Sequence, residues 1–585
     1  MRIVSRVPGW TCLLLLATGL AASAVLQAAT AAARAALTAD ELVAGQVRGF
    51  VPMVAFTPTA DATAPLRQFS GRLELGAAVA ADFQVRWNQP FNIPVDEQIR
   101  SLPAFDFEFL QDGAAVIPLQ RGPVENPHAS WEWVLEPGRA WNEPADQGYT
   151  RVAIPFALQE RNANCVHNGV LSFVIGDGGT VSKVYYEIAS ETCAYFKFDS
   201  WGVLAARFTP AVPAHAGEVA ANYRTELAAR LPLRPLAELI DRQPGLLASG
   251  LALAAPRDAD PATAYGVVLD GVHYASSCAT RQGDYPFCDV LALPSYSTAK
   301  TLVAAVGLMR LEQLSPGARR ALISDYVPEC ATRDWRGVTF EHALDMATGV
   351  YHRPGYEQDE DATDVVAFYN YETHRERIGF SCRHYHRHAA PGTRWVYRTT
   401  DTYVLGAAMA EYARRKLQLQ DFYTDVLAKP LWARLRLSPM LATTRRTRDA
   451  SRQPFTGYGL SYHRDDIVRL AQFLSVGEGE IDGVAQLDLH MLRAALQRDP
   501  QNRGLGAGFP GLAYRDGVWA RNIAGPLGCD SPLWVPFMSG YGGISVVMLP
   551  GGVVYYYYGD SGVWDWSPAA IELGKLRAFC PRALH

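Results

Sequence analysis

Lysine is scarce in this chain. There are six, Lys183, Lys197, Lys300, Lys416, Lys429 and Lys575, among 54 cationic residues, and the rest are arginine. Where charge alone is wanted the sequence usually writes arginine, so a lysine at a position that demands a base is more telling than usual. A surplus of positive charge is also missing. The formal net charge is −5, which argues against the basic face of a nucleic-acid-binding protein. No Cys-x-x-Cys occurs, and zinc-ribbon and thioredoxin-like readings fall with it. Gly-x-Ser-x-Gly is absent, which excludes the nucleophile elbow of an α/β-hydrolase. Beyond the amino terminus no apolar run reaches 18 residues, so no membrane span is predicted in the mature form.

What is present is a long chain rich in core-forming residues. It has 585 residues, 49% of them hydrophobic and 11% aromatic, which predicts several domains and excludes disorder, collagen-like repeats or coiled coil as the overall class. Arg2 and Arg6 precede an apolar run from Trp10 to Leu16 and the small-x-small triplet Ala22-Ser23-Ala24. That pattern reads as a secretory signal over residues 1–24, with alternative cleavage points up to residue 36. It predicts a periplasmic or secreted protein. Cleavage would discard Cys12 and leave Cys165, Cys193, Cys278, Cys288, Cys330, Cys382, Cys529 and Cys580. An even number in an exported chain predicts disulfides. The count leaves the connectivity open, and proximity favours neighbours: 165 with 193, 278 with 288, 330 with 382, 529 with 580.

Residues 45–210 alternate short apolar runs with Gly, Pro, Asn and Asp. Stretches such as Tyr149–Pro155, Gly169–Gly179 and Val181–Ile188 read as strands, and the region as an all-β sandwich. Its role is open; contact with a glycan or cell-envelope polymer is one expectation. Residues 211–255 form a Pro/Ala-rich linker followed by a helix from Glu218. Residues 256–585 are mixed α/β, with helices expected at 297–313, 402–417, 465–474 and 567–579. A hairpin is expected at Pro550-Gly551-Gly552. Tyr555 to Tyr558 should alternate between core and surface on its second strand.

The chemistry centres on Ser297-Thr298-Ala299-Lys300. Three residues apart on a helix, Ser297 and Lys300 share a face. A buried lysine loses proton affinity by desolvation, so its neutral amine can accept the serine proton. The serine oxygen can then attack a carbonyl and form an acyl-enzyme. About 100 residues later stands Pro391-Gly392-Thr393-Arg394-Trp395-Val396-Tyr397-Arg398-Thr399-Thr400-Asp401, leading into a helix with Leu405-Gly406. Together with Ala343–Gly349 and Gly457–Leu470, these segments make residues 260–580 resemble the serine β-lactamase and penicillin-binding superfamily. The likeness is to the branch holding class C β-lactamases, related esterases and 6-aminohexanoate oligomer hydrolases.

That resemblance implies an α/β domain of the α+β kind, an antiparallel sheet flanked by helices, working without metal or organic cofactor. It implies Ser297 as nucleophile, Lys300 as base or proton-network partner, and Tyr397 as general acid/base. The oxyanion would be held by the N–H of Ser297 and one from the stretch Ser539-Gly540-Tyr541-Gly542, with Tyr541 the best candidate. Two positions depart from the family. Thr399 stands where a stricter motif has Asn, and its hydroxyl replaces only part of an amide's bonding. Ser539 stands where a Lys or His often holds the carboxylate of a β-lactam. The expectation is therefore an exported serine esterase or amidase acting on a small ester, amide or peptide-like molecule. The alternatives are a β-lactamase or D,D-peptidase, and a non-catalytic cell-envelope binding protein. His384, His386 and His388 read as an exposed loop rather than a metal site, Glu357 to Asp364 as a solvated acidic loop, and Gly559-Asp560-Ser561-Gly562 as a turn.

Overall fold

The computed structural model describes residues 34–77, 83–89, 99–253 and 263–581; the expected signal segment 1–24 and Cys12 lie outside the described residues. The amino-terminal strands are β1 (Gly71–Leu75), β2 (Gln84–Gln89), β3 (Phe105–Asp112), β4 (Ala115–Pro118), β5 (Gly122–Val124), β6 (Trp131–Leu135), β7 (Gly138–Asn142), β8 (Thr150–Glu160), β9 (Val166–Ile175), β10 (Val184–Glu191), β11 (Lys197–Leu204) and β12 (Ala206–Pro210). They form one antiparallel sheet in the order β12-β1-β3-β4-β7-β8-β9-β10-β11-β2. β8 changes partner along its length: Thr150–Ala153 pairs with β7, and Phe156–Glu160 pairs with β6.

The sheet wraps onto itself. Phe105 of β3 meets Trp133 of β6 edge-on at 5.3 Å, and Trp131 of β6 lies 6.0 Å from Phe198 of β11. These rings join strands that are not neighbours in the sheet, so its inner faces enclose a shared core in the manner of a sandwich. The outer face is also covered. All ten residues of β9 are buried; Leu171, Phe173 and Ile175 face the inner core, whereas Val170 and Val174 belong to the same cluster as Leu302, Val303 and Tyr403. Near-continuous apolar runs are what a strand buried on both faces requires. The amino-terminal sheet therefore shares a hydrophobic core with the rest of the chain.

The second sheet has nine strands: β13 (Leu233–Pro235), β14 (Ala264–Leu269), β15 (Val272–Ala275), β16 (Leu505–Gly506), β17 (Leu512–Arg515), β18 (Val518–Asn522), β19 (Trp534–Gly540), β20 (Ile544–Leu549) and β21 (Val553–Tyr558). Their order is β13-β15-β14-β21-β20-β19-β18-β17-β16, antiparallel except where β13 meets β15. Helix α1 (Ala216–Ala229) lies against the first sheet, where its Arg224 pairs with Asp112 of β3 and its Glu226 with Arg121; helices α2 (Val306–Leu314), α3 (Thr399–Leu417), α4 (Arg464–Ser475) and α5 (Ser567–Gly574) accompany the second. The fold is thus multidomain α+β, with an amino-terminal β-rich part and an antiparallel sheet flanked by helices. α3 carries Asp401 in its first turn and Arg414, Arg415 and Lys416 in its last, the arrangement that suits the helix dipole. The Pro550 hairpin forms as its sequence predicts. The expected surface face of Tyr555–Tyr558 does not exist: all four are buried, Tyr556 and Tyr558 with the helices α2 to α4, Tyr555 and Tyr557 with α5. Helices cover both faces of this sheet, so alternation sorts the tyrosines between two cores. Disulfides join Cys165 to Cys193, Cys278 to Cys288, Cys330 to Cys382 and Cys529 to Cys580.

Candidate active site

The chain enters the site along Leu293-Pro294, which pairs with Ser461–Tyr462. Tyr296 then adopts φ +39°, a left-handed conformation that is rare for a bulky residue and costs about 1–3 kcal/mol. Past this turn Ser297 is half-buried, and a π-helical segment, Lys300–Ala305, runs into α2. Widened helical turns of this kind are frequent at functional sites.

Lys300 is 2% exposed. Its Nζ donates to Ser297 Oγ at 2.8 Å, to Thr399 Oγ1 at 2.8 Å and to the Gly457 carbonyl at 3.3 Å. Burial brings its pKa down to about 8, against the opposing pull of Glu360 and Glu357. The ammonium lies 4.8 Å from the centre of the Tyr397 ring. Burial, reinforced by the Glu360 carboxylate, pushes the Tyr397 phenol well above its ordinary value, while a hydrogen bond with Ser297 pulls the other way. Tyr397 is therefore a protonated donor at neutral pH.

The turn that carries Tyr397 is fixed from below. Arg398, 1% exposed, pairs with Asp401, donates to Thr348 Oγ1 at 3.1 Å and stacks on Tyr385 at 4.2 Å. Thr348 also donates to Asp401 at 3.2 Å, and burial raises Asp401 to about 6. Tyr397 continues an aromatic track to the surface: Trp395 lies 6.1 Å away, Tyr356 6.0 Å beyond it, and Phe509 4.7 Å from Tyr356.

The acidic loop is not simply a solvated run. Glu360 accepts from Thr399 N at 2.7 Å, from Tyr369 Oη at 2.5 Å and from the Thr399 hydroxyl. The hydrogen-bonded chain is thus Ser297–Lys300–Thr399–Glu360. Glu357, raised to about 7 chiefly by burial and then by Asp361, also acts on Lys300. No local spacing points to Glu360; only the fold brings it to Thr399. Because Glu360 holds the Lys300 pKa up, Glu360→Gln should move the rising, low-pH limb of the pH–activity profile to lower pH by roughly one pH unit. A limb that stays near pH 8 in the variant would show that the carboxylate does not act on the amine.

The glycine-rich strand end lies against the same turn. A Cβ built on Gly540 would meet the Ser295 carbonyl at 3.0 Å and Ile544 at 3.1 Å, so glycine lets β19 end close to the turn without crowding it. Trp564 Nε1 donates to the Gly540 carbonyl at 3.1 Å. The Tyr541 ring is 5.8 Å from Tyr296 and is half-exposed. Ser539 pairs with Ser545 across the hairpin, and the Gly542 carbonyl accepts from Gly562 N at 2.9 Å. Ser297, Lys300, Tyr397 and Thr399 are thus brought together, Gly540 and Tyr541 abut the preceding turn, Ser539 pairs across the hairpin, and Gly542 bonds to Gly562 beyond β21.

Three groups among the described residues bring potential metal-ligand atoms within 4.8 Å of one another: Cys165–His167–Cys193, His352–Asp364–His384 and Glu341–Asp345–Asp516. The cysteines of the first are joined in a disulfide. His384 bonds Asp364 at 2.9 Å, and Arg515 pairs with all three carboxylates of the third. The alternating histidines diverge: His386 bonds Asp334 at 3.2 Å, and His388 packs 5.2 Å from Tyr351.

Residues 248–558 match the Beta-lactamase family model. No curated protein matches the chain. Among solved structures it is similar to a D-stereospecific amidohydrolase from Streptomyces sp. (13% identity, TM-score 0.39, 55% of this chain and 96% of that one). It is also similar to a class C beta-lactamase (14%, 0.39, 62% and 97%) and to EstCE1, a hydrolase with promiscuous acyltransferase activity (16%, 0.37, 60% and 98%). The family match spans more than half of the chain and contains the Ser297–Lys300 helix, Tyr397 and the terminal hairpin: the chain belongs to the β-lactamase family of serine hydrolases.

Proposed function

We propose that this protein is an exported serine esterase or amidase working through an acyl-Ser297 intermediate. The observation that carries the reading is the buried Lys300 amine at 2.8 Å from Ser297 Oγ, with its pKa lowered to about 8. Neutral Lys300 takes the Ser297 proton as Oγ attacks the carbonyl carbon. The oxyanion is held by the N–H of Ser297 and by that of Tyr541. Tyr397, kept protonated by burial, passes its proton to the departing oxygen or nitrogen and recovers one from the Lys300 ammonium. Water then attacks the acyl-enzyme, and its proton returns by the same groups to Ser297 Oγ.

Several observations bear on the substrate. No cation stands at Ser539, so a substrate carboxylate finds no partner there. Glu357, Glu360 and Asp361 add negative charge around the site, and the track from Tyr397 to Phe509 offers aromatic surface. These features favour a neutral or cationic ester or amide with an apolar group over a β-lactam or an anionic peptide. The four disulfides support an extracytoplasmic location, and no helix among the described residues is long and apolar enough to cross a membrane. A panel of short-chain p-nitrophenyl esters, small amides and a cephalosporin tests the preference. The expectation is ester or amide turnover at least tenfold faster in kcat/KM than cephalosporin opening. Faster cephalosporin hydrolysis would favour the β-lactamase reading, and no turnover of any kind the binding reading.

A further inference from the structure

The amino-terminal sheet reaches the turn that precedes Ser297. Asn164 lies between β8 and β9 and is 1% exposed. Its Oδ1 accepts from Ser295 Oγ at 3.0 Å, from Tyr296 N at 2.8 Å and from Gly459 N at 3.0 Å. Its Nδ2 donates to the Leu460 carbonyl at 3.1 Å. Ser295 Oγ accepts in turn from Leu460 N at 3.0 Å. One carboxamide therefore joins the strand entering Ser297 to the segment just after Gly457, whose carbonyl receives Lys300. Four residues on, Asn168 repeats the device, exchanging bonds of 3.0 and 3.1 Å with the backbone of Ala292.

These bonds fall where the backbone needs them. Tyr296 is held at φ +39°, and such a conformation persists only when its surroundings over-determine it. The Asn164 contact is made to the N–H of that very residue. A second loop of the same sheet touches the glycine-rich strand end that lies against this turn. A Cβ on Gly542 would lie 3.1 Å from Ala194, and the Tyr195 ring is 6.1 Å from Tyr541. The Cys165–Cys193 disulfide ties the two loops together, at positions adjacent to Asn164 and Ala194.

We infer that the amino-terminal sheet is an integral part of the catalytic unit, and that Asn164 is a positioning residue that holds the strained turn presenting Ser297. This rests on Ser297 being the nucleophile. The role is distinct from carrying a glycan or polymer, since Asn164 and the Cys165–Cys193 disulfide that joins the two loops are buried.

The test compares Asn164→Ala, Ser295→Ala and Val152→Ala in the full chain, with Ser297→Ala alongside. Val152 lies in the inner core of the amino-terminal sheet, which contains no residue of the site, so its variant reports destabilisation alone. Each protein is checked by near-UV circular dichroism, then assayed for kcat and KM on a p-nitrophenyl ester and for its rate of labelling by a fluorophosphonate. Asn164→Ala should lower kcat and the labelling rate together by about 10²-fold, as expected for a displaced nucleophile, with KM within about threefold of the wild type. Val152→Ala should unfold at lower temperature yet keep kcat within about twofold of the wild type. Folded Asn164→Ala with wild-type kcat overturns the inference. If Asn164→Ala does not fold, Ser295→Ala decides in its place: a tenfold or greater loss of kcat supports the inference, and a smaller one overturns it. Undiminished labelling of Ser297→Ala would instead overturn the nucleophile assignment itself.

Discussion

Ser297→Ala should lose ester hydrolysis by about 10⁵–10⁶-fold and should no longer be labelled by a fluorophosphonate. Removing the nucleophile of an acyl-transfer enzyme leaves only the assistance of oxyanion donors and binding, and losses of about that size follow. The fold should not suffer. Ser297 is half-buried, and without its hydroxyl Lys300 Nζ still donates to Thr399 Oγ1 at 2.8 Å and to the Gly457 carbonyl at 3.3 Å. An unchanged thermal midpoint beside lost turnover and lost labelling is the expected pair of results. A variant that keeps a tenth of the wild-type rate would place the nucleophile elsewhere.

Lys300→Ala should cost about 10²–10⁴-fold in kcat/KM, the range of general-base catalysis, and Lys300→Arg should not rescue it. A guanidinium stays protonated at any pH the enzyme tolerates, so it can hold Thr399 and Gly457 but cannot take the serine proton. The wild-type pH profile follows from the same amine. The charged form predominates below about pH 8 and cannot accept a proton, so kcat/KM should rise as pH increases through about 8 and level off above it. Full activity of Lys300→Arg, or a profile flat from pH 6 to 10, would remove Lys300 from the base role.

The scarcity of lysine makes Lys300 conspicuous in the sequence, and the three-residue spacing already places its amine on the side of Ser297. The strands of the first sheet are legible in the alternation of Tyr149–Pro155 and Val181–Ile188, as is the Pro550 hairpin. Three features are not legible, each for a physical reason. Glu360 sits in a run of acidic residues whose local pattern is that of a solvated loop. Its contact with Thr399 spans 39 residues and is made by the fold alone. Asn164 bonds Tyr296 across 132 residues, between parts of the chain that read separately. The burial of both faces of β9 and β21 depends on what covers each sheet, which a period of two does not reveal. The sequence therefore displays the proposed reacting groups more readily than the groups that contact them, since such a contact needs only a common polar residue in the right place.

The shared core and the Asn164 contacts also bear on why so long an amino-terminal region accompanies the hydrolase fold. Lys197 of β11 pairs with Asp560 just beyond β21 at 3.0 Å, with both groups buried. Arg445 reaches Glu132 at 3.0 Å from the opposite side. Such buried pairs are strongly disfavoured when one partner is removed, which ties the sheet to the hydrolase part at several points around the site.

The central claim is acyl transfer through Ser297, and trapping the intermediate tests it most directly. A p-nitrophenyl ester mixed with the enzyme and quenched with acid in the pre-steady state should release nitrophenol in a burst. The intact protein should gain the mass of one acyl group, and peptide mapping should place it on the segment containing Ser297. An acyl group found on another residue, or rapid turnover by Ser297→Ala with no adduct on that segment, would contradict the account.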